Sequence, residues 1–280
     1  MHDWYAQPKY RPFSLLHEDA DPERPGVMMI HGFTGSPDEL RPTAQIAFDA
    51  GCDVEVVGLP GMGADISRFR ATGKDDWLDS VNTLWSAFTP RYRRKVLVGY
   101  SLGAALAIHA ATSRPPEEMV LFAPLVRLAD RRAALLPLAK RVIPELSPFK
   151  GLDFSTSSTR TFFEQTMPGL DVDDPEVQRA IREEFLTPTR LIDDCRLIGR
   201  DAGRLANRVT APVTIIQGRP DRIVGHRNAR WLVDRLGGRV AYYEVPGNHL
   251  ISLDTVPSWR EVRPIVERVF TGIVNDAGKW

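Results

Sequence analysis

A serine stands at the end of an apolar run, in a pattern that could expose a nucleophile. The residues Gly99-Tyr100-Ser101-Leu102-Gly103 fit G-x-S-x-G, and they lie between KVLV and the small-residue segment AALAIHAA. In this pattern the glycines let the chain turn sharply from a strand into a helix, which lifts the serine hydroxyl free of its neighbours. The position between strand and helix, more than the five letters themselves, predicts that Ser101 is a nucleophile.

A hydroxyl is a weak nucleophile at neutral pH, so it needs a base, and the base needs an orienting acid. Asp221 in IIQGRPDRIVG and His249 in VPGNHLISLD each follow an apolar run by a few residues. The chain order Ser, Asp, His is one of the orders in which such triads occur. We therefore predict that His249 takes the Ser101 proton and that Asp221 orients the imidazole and stabilises its charged form.

The other histidines fit the role of base less well. His31 lies in a glycine-rich loop, and we expect it to brace that loop through hydrogen bonds. His109 lies inside the helix that follows Ser101 and is expected to be a packed or surface residue. His226 is expected to begin a helix. Among the acidic residues, Asp254 is a possible substitute for Asp221, while two further aspartates are expected to be surface charges, Asp130 and Asp194.

Acyl transfer also needs hydrogen-bond donors for the oxyanion that develops on the carbonyl. The segment MMIHGFTGSPDEL gives a strand, a glycine-rich loop and a helix start at Ser36-Pro37. We predict that the backbone N–H groups of Phe33 and Leu102 form the oxyanion hole. Glycines suit this loop because its backbone must approach the substrate closely.

Six continuous apolar runs predict strands that are buried on both faces, as in a parallel sheet. They cover residues 26–32, 53–59, 95–100, 118–124, 212–218 and 240–246, with a weaker edge strand at 11–16. Helical periodicity at residues 77–88, between two of these runs, and at residues 262–273, after the last of them, predicts an α/β fold with a mostly parallel, doubly wound sheet. Sites in such sheets lie at the carboxyl ends of the strands, where the candidate residues fall.

One connection is much longer than a crossover needs. Residues 127–208 contain several helical patterns: RRAALLPLAKRVIP with a proline kink, DDPEVQRAIREEFL with an Asp cap and Pro175 in the first turn, and TRLIDDCRLIGRDAGRLA with an apolar stripe. We predict that residues 1–126 and 209–280 form the core domain and that 127–208 form an inserted helical cap, or lid, over the strand ends.

Five segments of the chain, taken in order, resemble the α/β-hydrolase superfamily, and within it bacterial carboxylesterases and monoacylglycerol lipases. These segments are HGFTGSP, GLPGMG, GYSLG, QGRPDRIV and GNHLISLD. The resemblance runs from about residue 25 to the C-terminal helix. It implies a triad of Ser101, Asp221 and His249, oxyanion donors at Phe33 and Leu102, and a cap that forms an acyl pocket. Many relatives have G-H-G where this chain has Met62 between glycines, so we expect a changed pocket wall there.

The sequence thus predicts a serine carboxylester hydrolase that cleaves short- to medium-chain acyl esters and uses no metal or organic cofactor. A carbon–carbon bond hydrolase, a thioesterase and a non-catalytic receptor with the same fold stay open as alternatives. Zero formal net charge argues against a nucleic-acid partner. The chain has no run long enough for a membrane span and no signal-peptide pattern, so we expect a cytoplasmic monomer or small homo-oligomer. Cys52 and Cys195 are expected to be buried, reduced thiols.

Overall fold

The computed structural model describes residues 2–19 and 21–276. The strands in this part of the chain are β1 (Phe13–Leu15), β2 (Gly26–Ile30), β3 (Asp53–Val57), β4 (Lys95–Tyr100), β5 (Glu118–Phe122), β6 (Glu145–Leu146), β7 (Thr187–Pro188), β8 (Val213–Gly218) and β9 (Val240–Val245). The α-helices are α1 (His2–Tyr5), α2 (Arg41–Asp49), α3 (Lys74–Phe88), α4 (Leu102–Ser113), α5 (Leu136–Val142), α6 (Ser157–Thr166), α7 (Pro175–Glu184), α8 (Thr189–Leu205), α9 (His226–Val233) and α10 (Trp259–Asp276).

Seven strands form the central sheet in the order β1-β3-β2-β4-β5-β8-β9. All pairs are parallel except β1 with β3, where Phe13 lies opposite Val56 in an antiparallel edge. The predicted doubly wound sheet and its weak edge strand are therefore confirmed. Strand β4 lies between β2 and β5, so its carboxyl end is at the middle of the sheet edge where the chain order reverses, which is where α/β proteins build their sites.

Helices cover both faces of the sheet, which explains why the strands read as continuous apolar runs. On one face, side chains of α3, α4, α8 and α9 belong to one apolar cluster with sheet residues such as Met28 of β2, Leu97 of β4 and Ile215 of β8. On the other face, α2 and α10 cover residues such as Met29 and Val98. Helix α4 is buried along most of its length, because α3 and α8 pack on the side that the sheet leaves open.

The inserted helices between β5 and β8 build a small core of their own. Phe154, Phe163, Val172 and Ile181 form a buried cluster separate from the two sheet cores. The short strands β6 and β7 pair antiparallel at the base of this segment. As predicted, α7 begins at Pro175, and the Asp174 side chain caps it by accepting a hydrogen bond from the Glu176 N–H at 2.8 Å.

The first inserted helix differs from its predicted form. Residues Arg131–Leu135 form a 3-10 helix, and α5 starts afresh with Pro137 in its first turn. The proline therefore does not kink a helix from within: it stands where its missing N–H costs no intrahelical hydrogen bond.

Two neighbouring aspartates of α8 are not simple surface charges. Asp193 is 1% exposed and contacts the Lys140 Nζ of α5 at 2.6 Å and the Arg196 Nη2 at 2.6 Å. Asp194 was predicted to be a surface charge, and that prediction is wrong: it is partly buried and accepts a hydrogen bond from the backbone N–H of Lys74 at 3.3 Å. Asp193 thus ties α5 to α8, and Asp194 ties α8 to the start of α3. Asp130, by contrast, is exposed as predicted.

Both cysteines, Cys52 and Cys195, are buried and unbridged, in agreement with the prediction. Within residues 2–19 and 21–276, none of the helices combines the length and the apolarity that a membrane crossing requires.

Candidate active site

The turn from β4 into α4 holds Ser101 in a backbone conformation that few residues adopt. Ser101 has φ 53° and ψ −112°, and its N–H donates to the Phe122 carbonyl at 2.9 Å. The two flanking glycines permit the close approach. A Cβ at Gly99 would lie 2.4 Å from the Ala104 Cα, and a Cβ at Gly103 would lie 2.1 Å from the Ile30 carbonyl oxygen. The strain of this turn is a common feature of functional sites.

The loops after β8 and β9 bring the other two candidate residues to Ser101. The His249 Nε2 lies 2.9 Å from the Ser101 Oγ, and the His249 Nδ1 lies 2.8 Å from the Asp221 Oδ2. All three side chains are largely buried. The alternative acid, Asp254, is exposed, and the Asp221 carboxylate occupies the position beside His249 that it would need.

Asp221 is held as a carboxylate by several donors. Its Oδ1 accepts from the backbone N–H groups of Ile223 and Val224 at 2.8 and 3.0 Å, and its Oδ2 accepts from the Gln217 Nε2 at 3.0 Å. Burial alone would raise the pKa of Asp221, but the hydrogen bond and charge of His249 and the two backbone donors outweigh it, and the pKa is lowered. Gln217, which sequence reasoning missed, fixes the carboxylate plane from β8.

The loop after β2 lies beside Ser101. The structure assigns His31 the bracing role that was predicted: its Nε2 accepts from the Leu59 N–H at 3.1 Å, so its Nδ1 carries the proton and donates to the Gly32 carbonyl at 2.9 Å. Burial lowers the pKa of His31 to about 4, which keeps the ring neutral. The Phe33 ring packs against Phe69 and Trp77 at centroid distances of 5.8 and 5.9 Å.

The two predicted oxyanion donors are backbone amides that make no hydrogen bond within the described residues. Leu102 is the first residue of α4, and its N–H belongs to the first turn, where intrahelical acceptors are missing. Across residues 2–19 and 21–276, neither the Phe33 N–H nor the Leu102 N–H finds a hydrogen-bond acceptor. The role of both amides as oxyanion donors stays a prediction, and the ring contacts of Phe33 hold its loop in place.

Two cavities that share part of their lining both include Ser101. One, of about 490 Å³, is almost wholly apolar, and its lining includes Leu125, Leu128, Leu146, Ile192, Cys195 and Ile223. The other, of about 350 Å³, is lined by both aromatic and polar side chains, including Tyr5, Tyr10, Glu39, Tyr100, Phe149 and Phe163. Six residues line both cavities: Phe33, Thr34, Ser101, Pro148, Thr187 and Ile223.

The remaining sequence predictions around the site have mixed outcomes. Met62 is 2% exposed and packs in the sheet core, and it lines neither cavity at Ser101, so the expected change of the pocket wall does not occur there. His226 begins α9 as predicted. His109 is partly buried with its Nε2 3.2 Å from the Ile198 carbonyl, so it is a packed residue.

Several cavity residues escaped prediction. Tyr5 and Tyr10 belong to the N-terminal segment, which the pattern of strands and helices did not connect to the site. Glu39 lies among polar residues at the start of a predicted helix, where a charged side chain is ordinary. Tyr100, next to the nucleophile, donates its hydroxyl to the His249 carbonyl at 3.2 Å. Its position within G-x-S-x-G was the sequence feature that could have indicated a place beside the site.

Two curated proteins with related sequences are named monoacylglycerol lipases. The chain is 26% identical over 205 residues to the "Thermostable monoacylglycerol lipase" of Bacillus sp. (strain H-257), which covers 73% of each protein. It is 24% identical over 271 residues to the "Monoacylglycerol lipase" of Mycolicibacterium smegmatis (strain ATCC 700084 / mc(2)155), covering 88% of this chain and 91% of the relative.

Solved structures agree on the fold. A structure from work on the metagenome-derived lipolytic enzymes LipS and LipT superposes with a TM-score of 0.72 at 24% identity, covering 95% of this chain and 98% of the other. The family model described as Hydrolase_4, "Serine aminopeptidase, S33", matches residues 21–250. The resemblance to α/β hydrolases is thereby confirmed, and the chain belongs to this Hydrolase_4 family.

Proposed function

We propose that the protein is a serine carboxylester hydrolase that works through Ser101, His249 and Asp221. The observation that carries the proposal is the continuous chain of hydrogen-bond distances, 2.9 Å from the Ser101 Oγ to the His249 Nε2 and 2.8 Å from the His249 Nδ1 to the Asp221 Oδ2. A nucleophile, a base within reach and an orienting acid are the parts that acyl transfer requires.

In the proposed mechanism, the carboxylate of Asp221 keeps the proton of His249 on Nδ1, so that Nε2 can accept the Ser101 proton. The Ser101 Oγ then forms a bond to the ester carbonyl carbon, and the carbonyl electron pair moves to the oxygen. The Phe33 and Leu102 N–H groups donate to that oxyanion. Collapse of the tetrahedral intermediate breaks the bond to the alcohol oxygen, which takes the proton from Nε2.

The second half repeats these steps with water. His249 removes a proton from water as the hydroxide oxygen attacks the acyl-enzyme, and the same proton returns to Ser101 when the carboxylic acid leaves. Because Asp221 is held by Ile223 and Val224 as well as by His249, it stays a carboxylate and stabilises the imidazolium in both halves.

The two cavities support a division of the substrate. The apolar cavity suits an acyl chain of short to medium length, because its lining offers little for a polar group to bond. The mixed cavity suits the alcohol part. We further propose that residues 127–208 act as a cap on a core formed by 1–126 and 209–280, since Leu146 and Ile192 from this segment line the apolar cavity. The names of the curated relatives favour acylglycerols among possible esters.

Turnover of p-nitrophenyl esters from acetyl to palmitoyl, measured beside a Ser101→Ala variant, tests the proposal. We expect saturable turnover that falls by about 10⁴-fold or more in the variant, because the triad acts as a unit. The chain length with the highest kcat/KM then reports the depth of the apolar cavity. Full turnover by the variant would refute the assignment of Ser101.

Absence of turnover across the series in folded wild-type protein would refute the ester-hydrolase proposal itself. Product analysis with thioesters and with vinylogous diketones would then distinguish a thioesterase from a carbon–carbon bond hydrolase, and ligand binding without any turnover would favour a receptor.

A further inference from the structure

Glu39 reaches back from the short 3-10 helix Pro37–Leu40 to the loop that follows β2. Its Oε2 accepts a hydrogen bond from the Gly32 N–H at 3.1 Å, and its side chain lines the mixed cavity beside Ser101. A Cβ at Gly35 would lie 2.0 Å from this oxygen, so only a glycine at this position leaves room for the carboxyl. Glu39 is therefore built into the loop that carries Phe33.

The peptide of Gly32 is enclosed on two sides. A Cβ at Gly32 would lie 3.2 Å from the Tyr100 ring and 3.5 Å from the Glu39 Oε2. The Tyr100 hydroxyl in turn donates to the backbone carbonyl of His249 at 3.2 Å. One connected set of contacts thus joins Glu39, the loop before Phe33, the strand before Ser101 and the loop that holds His249.

This carboxyl is unusual because it is partly buried and has no cation to offset the loss of solvent. In the described part of the chain, no Lys, Arg or His forms an ion pair with Glu39. The titratable groups that face it are acidic, phenolic or the proposed base: Asp38 on its own helix, Tyr5 and Tyr10 from the N-terminal segment, Tyr100 from β4 and His249 across the cavity. A residue kept at such a cost in stability points to a role in function.

We propose that Glu39 is a positioning residue, whose carboxyl fixes the Gly32 peptide and thereby aims the adjacent Phe33 N–H at the developing oxyanion. The inference rests on the proposed function, since it needs an oxyanion to form. Burial raises the pKa of Glu39 to about 7, so much of the carboxyl is uncharged near neutral pH. An uncharged carboxyl still accepts from Gly32 but does not repel the oxyanion.

Three variants separate positioning from mere packing. Glu39→Gln keeps the shape and an acceptor oxygen for Gly32, whereas Glu39→Ala removes the acceptor. Glu39→Met fills the volume without an acceptor and serves if the alanine variant fails to fold. Asp38→Asn, which loses a charge on the same 3-10 helix and an ion pair to Arg41, is the matched control.

The turnover of a p-nitrophenyl ester is measured for each variant, together with its affinity for two inhibitors. An alkyl trifluoromethyl ketone forms an oxyanion when it reacts with serine, whereas the matching methyl ketone reports ground-state binding. For Glu39→Ala or Glu39→Met we expect kcat to fall about 10- to 100-fold, less than the loss of a whole oxyanion donor. Affinity for the trifluoromethyl ketone should fall by the same factor, while affinity for the methyl ketone changes less than about threefold. Glu39→Gln and Asp38→Asn should stay within about fivefold of wild type.

Equal losses with both ketones would overturn the proposal, because they would mean that Glu39 shapes the pocket without aiming the amide. Full kcat in Glu39→Met would overturn it as well. Neither result bears on whether the protein is an ester hydrolase, because that proposal is tested separately by wild-type turnover and its loss in Ser101→Ala.

Discussion

Replacing Glu39 with glutamine should change how the stability of the protein depends on pH. In the folded state the pKa of Glu39 is raised from its usual 4.5 to about 7 by burial. Between these two values the unfolded chain has released the proton while the folded protein still holds it. Folding stability must therefore fall as pH rises through this range, and the full cost is reached above pH 7.

The size of this effect follows from the same two values. Their difference corresponds to roughly 3 kcal/mol, and solvent that enters the cavity beside Glu39 screens part of it, so we expect about 2 kcal/mol. Chemical denaturation of wild type and Glu39→Gln from pH 5 to pH 8 measures it. The wild type should lose stability relative to the variant across this range, by the expected amount.

The control for this experiment is Glu164→Gln, since Glu164 is an exposed glutamate of α6. Its pH profile should run parallel to that of the wild type. The reasoning would be refuted if the difference between wild type and Glu39→Gln stayed constant from pH 5 to pH 8, because Glu39 would then ionise alike in both states.

Three other perturbations have defined outcomes. Gly103→Ala forces a Cβ against the Ile30 carbonyl and should lower the free energy of unfolding by about 3 kcal/mol. Gly272→Ala, whose Cβ meets nothing within 4 Å, should raise Tm slightly, and equal Tm values in the two variants would contradict the close packing at Gly103. Asp193→Asn should lower stability by about 2 kcal/mol, because two partly exposed cations lose their buried partner. The exposed Asp75→Asn should change it by less than about 0.5 kcal/mol, and denaturation at pH 7 compares the two variants. Ile192→Trp, which narrows the apolar cavity, should shift the best p-nitrophenyl ester to a shorter acyl chain, and an unchanged profile would exclude this cavity as the acyl site.

Sequence could predict the parts of this molecule that depend on local patterns. The strands of the sheet were readable because burial on both faces makes each run apolar. Ser101, Asp221 and His249 could be proposed together because each follows a strand, and the carboxyl ends of parallel strands meet at one edge. Geometry places the three within hydrogen-bond distance, and their catalytic roles stay predictions.

Other features depend on contacts between distant segments, and no local pattern carries them. Asp193 and Asp194 are adjacent and chemically identical, yet Asp193 is buried because Lys140, far away in sequence, packs over it. Glu39 looks like an ordinary charge in a helix start. Only the close approach of Gly32 and Gly35 encloses its carboxyl and leaves the residue partly buried, and the sequence does not tell which glycines allow such an approach.

The pairing of β6 with β7 has a consequence for how this protein can diversify. It joins the two ends of residues 147–186, and this segment has its own aromatic core around Phe154 and Phe163. Insertions within a loop whose ends are already held together cost little entropy, about 0.6 kcal/mol for each doubling of length. Evolution or an engineer can therefore exchange this segment as a unit and alter what reaches Ser101, while the strands that hold Ser101 keep their register.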